Sequence, residues 1–350
     1  MTKRAAIILA GGKGRRFQSV NGKWQDKALA EIDDKPLLVH AIENIQDVVE
    51  ETVVVVDNNE LRTSQYQNVL DKFEIKTASM VKDLEVGKLS GPLIAILTGL
   101  KSTHANYCIT IPADVPMLSK KVAQYLFDEI NGSLVAVPMW PNGRLETLLM
   151  VLERRTTLNV ADVLCQLGRS HPDDIIRGAQ KTLFASPLGK IKTIDPELRS
   201  FININCPEDL RRLQPRQGQG SFAENVRLDL GILPVREMQQ LAEAALKSCE
   251  GDFLEASEIF SGCAVELENK NLFFWAALAW ENEGKTLLRT LGQDRNRELA
   301  DETEASLLKA AQNYGSEAEV YLYNRCLLLA DRAKADKSWC DLQVEKLASI

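Results

Sequence analysis

The sequence lacks three features that would place it among membrane, secreted or zinc-dependent proteins. None of its apolar runs approaches the ~18 residues of a membrane-spanning helix. Its seven cysteines are scattered without a Cys-x-x-Cys pair, a pattern that favours reduced thiols over a disulfide framework or a zinc site. The first four residues lead straight into an apolar strand without a cleavage site, so we expect no signal peptide and a cytoplasmic location.

The two common phosphate-binding fingerprints are also missing. Gly11, Gly12 and Gly14 do not have the dinucleotide spacing, because the third glycine comes one residue too early. No Gly-x-x-x-x-Gly-Lys-Ser/Thr segment is present either. The sequence therefore excludes a dinucleotide fingerprint and a P-loop.

A different glycine turn is present after residues 5–10, an apolar run typical of a parallel strand buried on both faces. Without Cβ atoms, its three glycines let backbone N–H groups approach a ligand and form a concavity for phosphate oxygens. Five cations lie within fifteen residues of Gly12, namely Lys13, Arg15, Arg16, Lys23 and Lys27. Glycines and cations together indicate a triphosphate site, although the glycines alone would also fit a simple tight turn.

Charge is distributed unevenly along the chain. Residues 221–350 contain 14 Lys and Arg against 23 Asp and Glu, a net charge of −9, whereas residues 1–220 carry +2. The acidic part argues against a nucleic-acid-binding tail. The nearly neutral part suits a site for a small anionic ligand.

Strands and helices alternate through the first half of the sequence. The apolar runs predict strands at 5–10, 52–56, 107–111, 133–138 and 148–152, a short one at 74–78, and late ones at 191–194 and 201–204. Helical spacing predicts helices at 37–45, 61–73, 93–100 and 160–167. This alternation predicts an α/β fold with a mostly parallel sheet.

Ligands of parallel sheets gather at the carboxyl ends of the strands, so we expect the glycine turn, Asp57, Asp83 and Asp114 at one edge. Asp114 stands between Pro112 and Pro116 as a rigid carboxylate. Mg²⁺ prefers one or two such carboxylates together with phosphate oxygens. A turn-forming Asp beside proline is the alternative for Asp114, and Asp57 is interpreted as a strand-ending turn residue.

A change of composition divides the chain into two predicted domains. Residues 214–221 contain a proline and two glycines and read as a linker between domains at 1–213 and 222–350. No proline follows Pro234, and apolar residues recur at helical spacing, so the second domain is predicted to be all-α. The 33 residues from Gly251 to Gly284 approach the ~34 of a tetratricopeptide unit, with an unspecialised helical bundle as the alternative.

Residues 1–213 resemble the glycosyltransferase-A-like nucleotidyltransferases, most closely the molybdenum cofactor guanylyltransferases. Motifs in matching order carry the resemblance: Leu-Ala-Gly-Gly-Lys-Gly-Arg-Arg-Phe from Leu9, Asp-Lys-Ala-Leu from Asp26, Lys-Pro-Leu from Lys35, Val-Lys-Asp from Val81, Gly-Pro-Leu from Gly91, Pro-Ala-Asp-Val-Pro from Pro112, and Asn-Ile-Asn-Cys-Pro-Glu-Asp-Leu from Asn203. The resemblance implies a Rossmann-like, mostly parallel sheet of the nucleotidyltransferase type for residues 1–213. The all-α helical-hairpin domain predicted at 222–350 is not part of that family.

The resemblance also implies roles for individual residues. It assigns Lys27, Arg16 and Asp114 to catalysis and Asp114 to the metal. It assigns nucleotide binding to Leu9, Ala10, Gly11, Gly12, Lys13, Gly14, Lys27, Asp83, Gly91 and Asp114, and acceptor binding to Asn203, Asn205 and Glu146. Phe17, where the family has Met, and the longer segment 18–25 with Trp24 depart from the family pattern.

The implied reaction is Mg²⁺-dependent transfer of GMP from GTP to molybdopterin, with release of pyrophosphate. Two alternatives stay open. One is cytidylyl or guanylyl transfer to another phosphorylated acceptor, such as a sugar phosphate or a lipid precursor. The other is a non-catalytic nucleotide-binding protein that serves an interaction module. Residues 222–350 are expected to bind a protein partner or to mediate self-association, and neither nucleic acid nor a membrane is expected as a partner.

Overall fold

Strands and helices alternate along the first part of the chain. The computed structural model describes residues 2–12, 26–86, 89–206, 208–209, 224–291, 297–317 and 319–348. The strands are β1 (Arg4–Leu9), β2 (Glu51–Val56), β3 (Ala78–Lys82), β4 (Tyr107–Pro112), β5 (Val135–Pro138), β6 (Met150–Glu153), β7 (Lys181–Ala185) and β8 (Val226–Asp229). The helices are α1 (Leu37–Glu43), α2 (Glu60–Lys72), α3 (Pro92–Lys101), α4 (Lys120–Glu129), α5 (Arg154–Gln166) and α6 (Asp173–Gly178). Short helical turns cover Lys27–Leu29, Pro187–Ile191, Lys192–Ile194 and Arg199–Phe201, and two-residue strands at Glu31–Ile32 and Lys35–Pro36 form a small hairpin.

An eight-stranded sheet joins these strands in the order β8-β7-β5-β6-β4-β1-β2-β3. The neighbours β4, β1, β2 and β3 are parallel, and so are β5 and β7. Because β6 pairs antiparallel with both β4 and β5, six of the eight strands run in one direction, and their carboxyl ends meet at one edge. The predicted α/β fold with a mostly parallel sheet is therefore confirmed.

The central strands are buried on both faces, as their continuous apolar sequences predict. Residues Ala5 to Ile8 of β1 have no exposed surface. Helix α3 packs so closely on β1 that a Cβ atom at Gly99 would lie 2.3 Å from Cγ2 of Ile7. This contact fixes the position of α3 and, with it, of Gly91 at the start of that helix.

Three of the predicted strands are wrong. Residues 191–194 are helical, because the place beside β5 is taken by β7, whose sequence Lys-Thr-Leu-Phe-Ala gave no strong strand signal. Phe201 ends the helical turn Arg199–Phe201, and residues 202–204 join no strand. The strand expected at 74–78 lies instead at Ala78–Lys82, where it pairs with β2. The sequence also predicts a short helix that ends near Leu213, and most of that segment lies outside the described residues.

The second part of the chain is all-α, as predicted. Its helices are α7 (Val235–Glu250), α8 (Phe253–Asn269), α9 (Phe273–Leu291), α10 (Arg297–Ser316) and α11 (Val320–Ala348). Each helix packs against the next along the chain, so successive helices form hairpins. None of the described helices is long and apolar enough to cross a membrane.

Two glycines on which the repeat interpretation depended have different roles. Gly251 ends α7 in the left-handed conformation, with φ at 100°. Gly284, predicted to end a helix, lies inside α9 instead. A Cβ atom there would lie 2.6 Å from Cγ of Leu307, so the absence of a side chain lets α9 and α10 approach closely. The 33-residue spacing therefore does not mark two equivalent helix ends.

The chain divides into two compact units, one of Met1–Cys165 and Arg169–Gly231 and the other of Gln166–Gly168 and Ile232–Ile350, so the main division falls after Gly231. This division lies ten residues beyond the predicted start of the helical domain at 222, because β8 returns to the sheet and pairs with β7. Arg227 of β8 donates hydrogen bonds to the carbonyl oxygens of Asn131, at 2.9 Å, and Glu129, at 2.6 Å. The predicted linker at 214–221 lies outside the described residues.

We expect residues 1–231 to fold without the helical unit and to bind nucleotide as the full chain does. The sheet then keeps its edge strand, whereas a fragment ending at 213 loses β8 and exposes the edge of β7. Isothermal titration with GTP should give a Kd for 1–231 within about threefold of the full chain, a difference below ~1 kcal/mol. A Kd tenfold or more above that of the full chain in a cooperatively unfolding 1–231 fragment would show that the helical unit contributes to nucleotide binding.

Candidate active site

A cavity of about 510 Å³ lies in the first unit at the carboxyl ends of the strands. Its lining includes the glycine turn after β1, Asp57 after β2, Asp83 after β3 and Asp114 after β4. The complete lining is Leu9, Ala10, Gly11, Gly12, Asp26, Lys27, Ala28, Asp57, Asp83, Ser90, Gly91, Pro92, Ala95, Pro112, Ala113, Asp114 and Leu148. The predicted gathering of polar groups at one edge of the sheet is confirmed by this arrangement.

The glycine turn brings backbone N–H groups to the cavity. Ala10 still belongs to the sheet, since its N–H donates to the Val55 carbonyl oxygen at 2.9 Å. A Cβ atom at Gly11 would lie 3.2 Å from the Asp57 nitrogen, so glycine permits this close approach. Within the described residues, the N–H groups of Gly11 and Gly12 have no protein acceptor and can donate to a ligand. Three predicted site residues, Lys13, Gly14 and Arg16, lie outside the described residues.

Lys27 begins a short helical turn and extends its ammonium group towards the end of β4. Asp26 caps this turn, because its Oδ1 accepts a hydrogen bond from the Ala28 N–H at 3.0 Å. The Lys27 Nζ forms an ion pair with Oδ2 of Asp114 and donates to Oδ1 of Asn205 at 3.0 Å. The structure thus brings together two of the predicted catalytic residues and one predicted acceptor-binding residue.

Asp114 occupies a turn that backbone hydrogen bonds hold from both sides. The Ala113 N–H donates to the Leu9 carbonyl oxygen at 3.1 Å, which joins this turn to the end of β1. The Ile204 N–H donates to the Asp114 carbonyl oxygen at 2.9 Å. The carboxylate is partly exposed, with 25% of its side-chain surface accessible. It can therefore meet a ligand in the cavity without moving its backbone.

Asn203 and Asn205 lie on an extended segment in which Ile202 and Ile204 are buried and both asparagines are half-buried. Asp209 fixes this segment, because its Oδ2 accepts hydrogen bonds from the N–H groups of Asn205, at 2.7 Å, and of Cys206, at 3.0 Å. Partial burial would raise the pKa of Asp209, but these hydrogen bonds and Lys27 outweigh it, and the pKa lies below its usual range. Neither asparagine lines the cavity, but Asn205 reaches Lys27, which does. The positioning role of Asp209 was not predicted, although it belongs to the same sequence motif.

Asp83 lines the cavity, and one oxygen of its carboxylate has no hydrogen-bond partner among the described residues. Its N–H donates to the Val56 carbonyl oxygen at 2.8 Å, which holds it beside β2. Its Oδ1 is buried and has no hydrogen-bond partner among the described residues. Burial, and next the nearby Asp57 carboxylate, raise the pKa of Asp83 to about 6, against a smaller lowering by Thr98. A carboxylate that lines the cavity suits a ligand that donates hydrogen bonds.

Gly91 closes the cavity at the start of α3. Its φ of 149° is one that residues with a side chain rarely adopt, and a Cβ atom would lie 2.8 Å from the Ser170 carbonyl oxygen. The N–H of Leu93 donates to that same carbonyl oxygen at 3.2 Å. Glycine at this position is therefore required for the approach of the two segments.

Glu146 lies away from the cavity lining. Its Oε1 accepts a hydrogen bond from Nε1 of Trp140 at 2.6 Å and pairs with the Arg144 guanidinium. These contacts hold the loop between β5 and β6, whereas Leu148 of the same loop reaches the cavity. The structure does not bring Glu146 together with Lys27, Asp114 and Asn205.

Asp57 has a wider role than the predicted turn residue. Its Oδ1 accepts a hydrogen bond from the Asn59 N–H at 3.4 Å, as in the expected turn. Its Oδ2 also lies 2.6 Å from Nη1 of Arg62, a residue of α2 that the sequence interpretation missed. Tyr66, one turn further along α2, approaches the glycine turn as well. In the sequence, only the i, i+4 spacing of Arg62 and Tyr66 indicates that they share a helix face, and this spacing does not reveal what that face contacts.

The arrangement combines donors for phosphate oxygens with oxygen ligands for a cation. Within the described ranges, no three His, Cys, Asp or Glu side chains converge well enough to hold a metal ion by themselves. A cation at Asp114 would therefore need oxygens from a ligand or from water to complete its coordination. Such an arrangement suits the binding of a metal-complexed phosphate ester.

Comparison with known proteins agrees with this geometry. The family described as MobA-like NTP transferase domain matches residues 6–182. A protein of Methanosarcina acetivorans named probable molybdenum cofactor guanylyltransferase is 31% identical over 211 residues, which are 60% of this chain and 89% of that protein. A protein of the same name from Methanosarcina mazei has the same identity and coverage.

A solved structure from Archaeoglobus fulgidus is also similar to this chain. It is described as molybdopterin-guanine dinucleotide biosynthesis protein A, and the two sequences are 23% identical. The match covers 60% of this chain and 96% of that protein, with a TM-score of 0.48.

Proposed function

Because the chain belongs to the family of MobA-like NTP transferase domains and is a nucleotidyltransferase, we propose that it transfers GMP from GTP to molybdopterin. In this reaction a phosphate oxygen of the acceptor attacks the α-phosphorus of GTP. The bond between the α-phosphorus and the oxygen bridging to the β-phosphate breaks, and pyrophosphate leaves. The names of the Methanosarcina relatives support the choice of base and acceptor.

The observation that carries the proposal is the meeting of Lys27, Asp114 and Asn205 at the edge where Gly11 and Gly12 offer N–H donors. Nucleotidyl transfer requires little covalent chemistry from the protein and depends on positioning and on neutralised phosphate charge. The Lys27 ammonium supplies a charge for the β- and γ-phosphates and for the leaving pyrophosphate. The glycine N–H groups supply neutral donors, and Arg16 is proposed to add a second cation on sequence grounds alone.

The Asp83 carboxylate, which lines the cavity, supports guanine as the base. Guanine carries N1–H and N2–H donors on adjacent atoms, so a carboxylate can accept both. Adenine and cytosine pair a donor with an acceptor on the corresponding edge, and the acceptor would face the negative oxygen. With a pKa of about 6, the Asp83 carboxyl is ionised at neutral pH and can act as this acceptor.

The oxygens around Lys27 fit a divalent cation, for which we propose Mg²⁺. Oδ2 of Asp114 and Oδ1 of Asn205 already converge on one positive group, the Lys27 ammonium. Hard oxygen ligands in small number are what Mg²⁺ takes when phosphates complete its coordination. Asp114 would hold the ion, and the ion would neutralise charge that develops on the phosphates.

The proposal is tested by incubating the full chain with molybdopterin, Mg²⁺ and each NTP in turn. We expect pyrophosphate release and a product with the mass of the guanine dinucleotide only with GTP. Release with CTP, or only with a sugar phosphate as the acceptor, would overturn the choice of base or acceptor. Binding of GTP without any pyrophosphate release would instead favour a non-catalytic protein.

We expect Asp83→Asn to stabilise the ligand-free protein and to weaken GTP binding. The pKa of Asp83 rises from 3.8 to about 6 on folding, so its contribution is favourable below pH 3.8 and is lost as the pH rises through 6. At pH 7.5 the ionised group is a cost, and after a discount for partial exposure its removal should add about 1 kcal/mol, or ~2–4 °C in Tm. GTP affinity should fall by about tenfold, because one charge-assisted hydrogen bond is weakened.

The wild-type protein provides the second arm of this test. Its GTP affinity should fall more steeply than that of Asp83→Asn as the pH is lowered from 7.5 through 6, because protonation of the terminal phosphate of GTP affects both proteins alike. An Asp83→Asn variant with an unchanged Tm and unchanged GTP affinity would contradict both the burial argument and the assignment to the base.

A further inference from the structure

A buried polar network joins the glycine turn to α2. Its centre is α2, whose Arg62 and Tyr66 have 6% and 0% of their surface exposed. The two residues are one helical turn apart and so share one face of the helix. Buried polar side chains on a helix that is otherwise largely exposed need a structural or functional reason.

Tyr66 links the glycine turn to the turn that carries Lys27. Its hydroxyl oxygen lies 3.1 Å from the Ala10 carbonyl oxygen and 3.0 Å from Oδ1 of Asp26. Asp26 Oδ1 also accepts the hydrogen bond from Ala28 that caps the Lys27 turn. The hydroxyl therefore fixes the distance between the end of β1 and the backbone of Lys27.

Arg62 connects the same two turns to the end of β2. Its Nε lies 2.8 Å from Oδ2 of Asp26, and its Nη1 lies 2.6 Å from Oδ2 of Asp57. Nη1 also donates a longer hydrogen bond, at 3.4 Å, to the Gly11 carbonyl oxygen. One planar guanidinium thus contacts three segments that line the cavity.

These contacts determine which way two peptide groups face. A trans peptide is planar, so the N–H of one residue points opposite to the carbonyl of the residue before it. Tyr66 holds the Ala10 carbonyl and Arg62 holds the Gly11 carbonyl. The N–H groups of Gly11 and Gly12 consequently face away from α2. Glycine has low barriers to other backbone conformations, so without these contacts both peptides could rotate.

We propose that Arg62 and Tyr66 are positioning residues for nucleotidyl transfer. They orient the N–H groups of Gly11 and Gly12 towards the nucleotide, and through Asp26 they set the position of Lys27 relative to those donors. The identity of the nucleotide rests on the proposed function, whereas the orientation of the donors does not. The competing explanation is that the network serves stability alone, as buried ion pairs with good geometry can.

Matched variants separate the two explanations. Tyr66→Phe removes only a hydroxyl, and Arg62→Gln removes the charge and the three-way contact. Tyr125→Phe is the control for the first, because the Tyr125 hydroxyl accepts one hydrogen bond, from Asn225 at 2.7 Å, and does not line the cavity. Arg154→Gln is the control for the second, because Arg154 also donates to a backbone carbonyl, that of Ala105 at 3.0 Å, near the amino end of β4.

For each full-length variant we would measure Tm, the Kd for GTP by titration calorimetry, and kcat and KM for pyrophosphate release. Arg62→Gln should raise the Kd and lower kcat by about tenfold each, part of the ~10²–10³ that a lost preorganised donor costs. Tyr66→Phe should change both by about threefold, because one of two peptide contacts remains. The controls should lower Tm to a similar extent while the Kd and kcat stay within about twofold of wild type.

The proposal is overturned if Arg62→Gln and Tyr66→Phe lower Tm but keep wild-type Kd and kcat, as their controls do. Tyr66→Phe, as a near-isosteric change, decides the question if Arg62→Gln fails to fold. A wild-type protein that binds GTP without transferring GMP would refute the proposed function, but the Kd comparison among the variants would still judge this inference. Arg62→Lys should recover part of the lost affinity, since it keeps the charge but cannot contact all three segments.

Discussion

Replacing Lys27 with alanine should lower the rate of nucleotidyl transfer by about 10²–10³-fold, the usual cost of removing one preorganised charge contact to a transition state. The Lys27 ammonium contacts Asp114 and Asn205, and Lys27 lines the same cavity as Gly11 and Gly12, where we propose that the triphosphate binds. Stability should change by less than ~1 kcal/mol, because the Lys27–Asp114 ion pair is only partly buried. The loss of rate should therefore occur in a folded protein.

The pair Lys101–Asp162 provides a matched control for this variant. Its Nζ and Oδ1 lie 2.6 Å apart, and both side chains are partly exposed on α3 and α5. Lys101→Ala removes a comparable ion pair that does not line the cavity, and it should keep wild-type turnover. Single-turnover assays with saturating GTP measure the chemical step directly. A Lys27→Ala protein that unfolds like the wild type and turns over within threefold of its rate would remove Lys27 from the mechanism.

The parallel part of the sheet could be predicted from sequence because its strands are buried on both faces. Continuous apolar runs such as Ala5 to Ile8 have that pattern, and turn residues mark where each strand ends. Strands β7 and β8 were missed because they include Lys181, Thr182, Arg227 and Asp229 among few apolar positions. Residues 191–194 look like a strand by composition, but no open place in the sheet adjoins them. Whether such a segment forms a strand depends on a neighbouring strand with which it can pair, and composition does not reveal that neighbour.

Some residues of the candidate site could likewise be predicted from the sequence, and others could not. Gly11, Gly12, Asp83 and Asp114 could be assigned to one cavity because the carboxyl ends of parallel strands meet at one edge. Lys27 required the family resemblance, since nothing local indicates where its side chain points. The supporting residues Arg62 and Tyr66 could not be found, because their contacts join segments about 36 to 56 residues apart in the chain. Glu146 was assigned by motif position, and its carboxylate is occupied by Trp140 and Arg144.

The ion pair between Lys27 and Asp114 also affects how the charges of the site are balanced before and after a ligand binds. Without a nucleotide, each group neutralises the other in a partly dry position. A metal-complexed triphosphate would offer Asp114 a stronger positive charge and Lys27 a stronger negative one, so both partners can exchange with little net change of buried charge. The two residues are thus expected to depend on each other, and a double variant should lose less than the two single losses combined.

Asp114→Asn should abolish metal-dependent turnover, a loss of at least about 10³-fold if the carboxylate is the main protein ligand of the ion. Asparagine keeps the shape of the side chain and can still accept a hydrogen bond from Lys27, but it lacks the charge that balances a divalent cation. The backbone hydrogen bonds from Ala113 and Ile204 do not involve the side chain, so the turn should persist. Stability should stay within ~1 kcal/mol of wild type.

A titration with Mg²⁺ at fixed GTP, followed by thermal shift as well as by turnover, tests this assignment independently of activity. In the wild type, Mg²⁺ should raise the Tm of the GTP complex by mass action. This metal-dependent increment should vanish in Asp114→Asn, persist in Asp83→Asn despite weaker GTP binding, and match the wild type in the control Asp162→Asn. Asp57→Asn should lose the ion pair with Arg62 but keep the increment, because Arg62 is buried and also paired with Asp26, so it cannot give up its place to a metal ion as Lys27 can. If Asp83→Asn loses the metal response and Asp114→Asn retains it, the ion is held by the carboxylate after β3, and Asp114 serves only to orient Lys27.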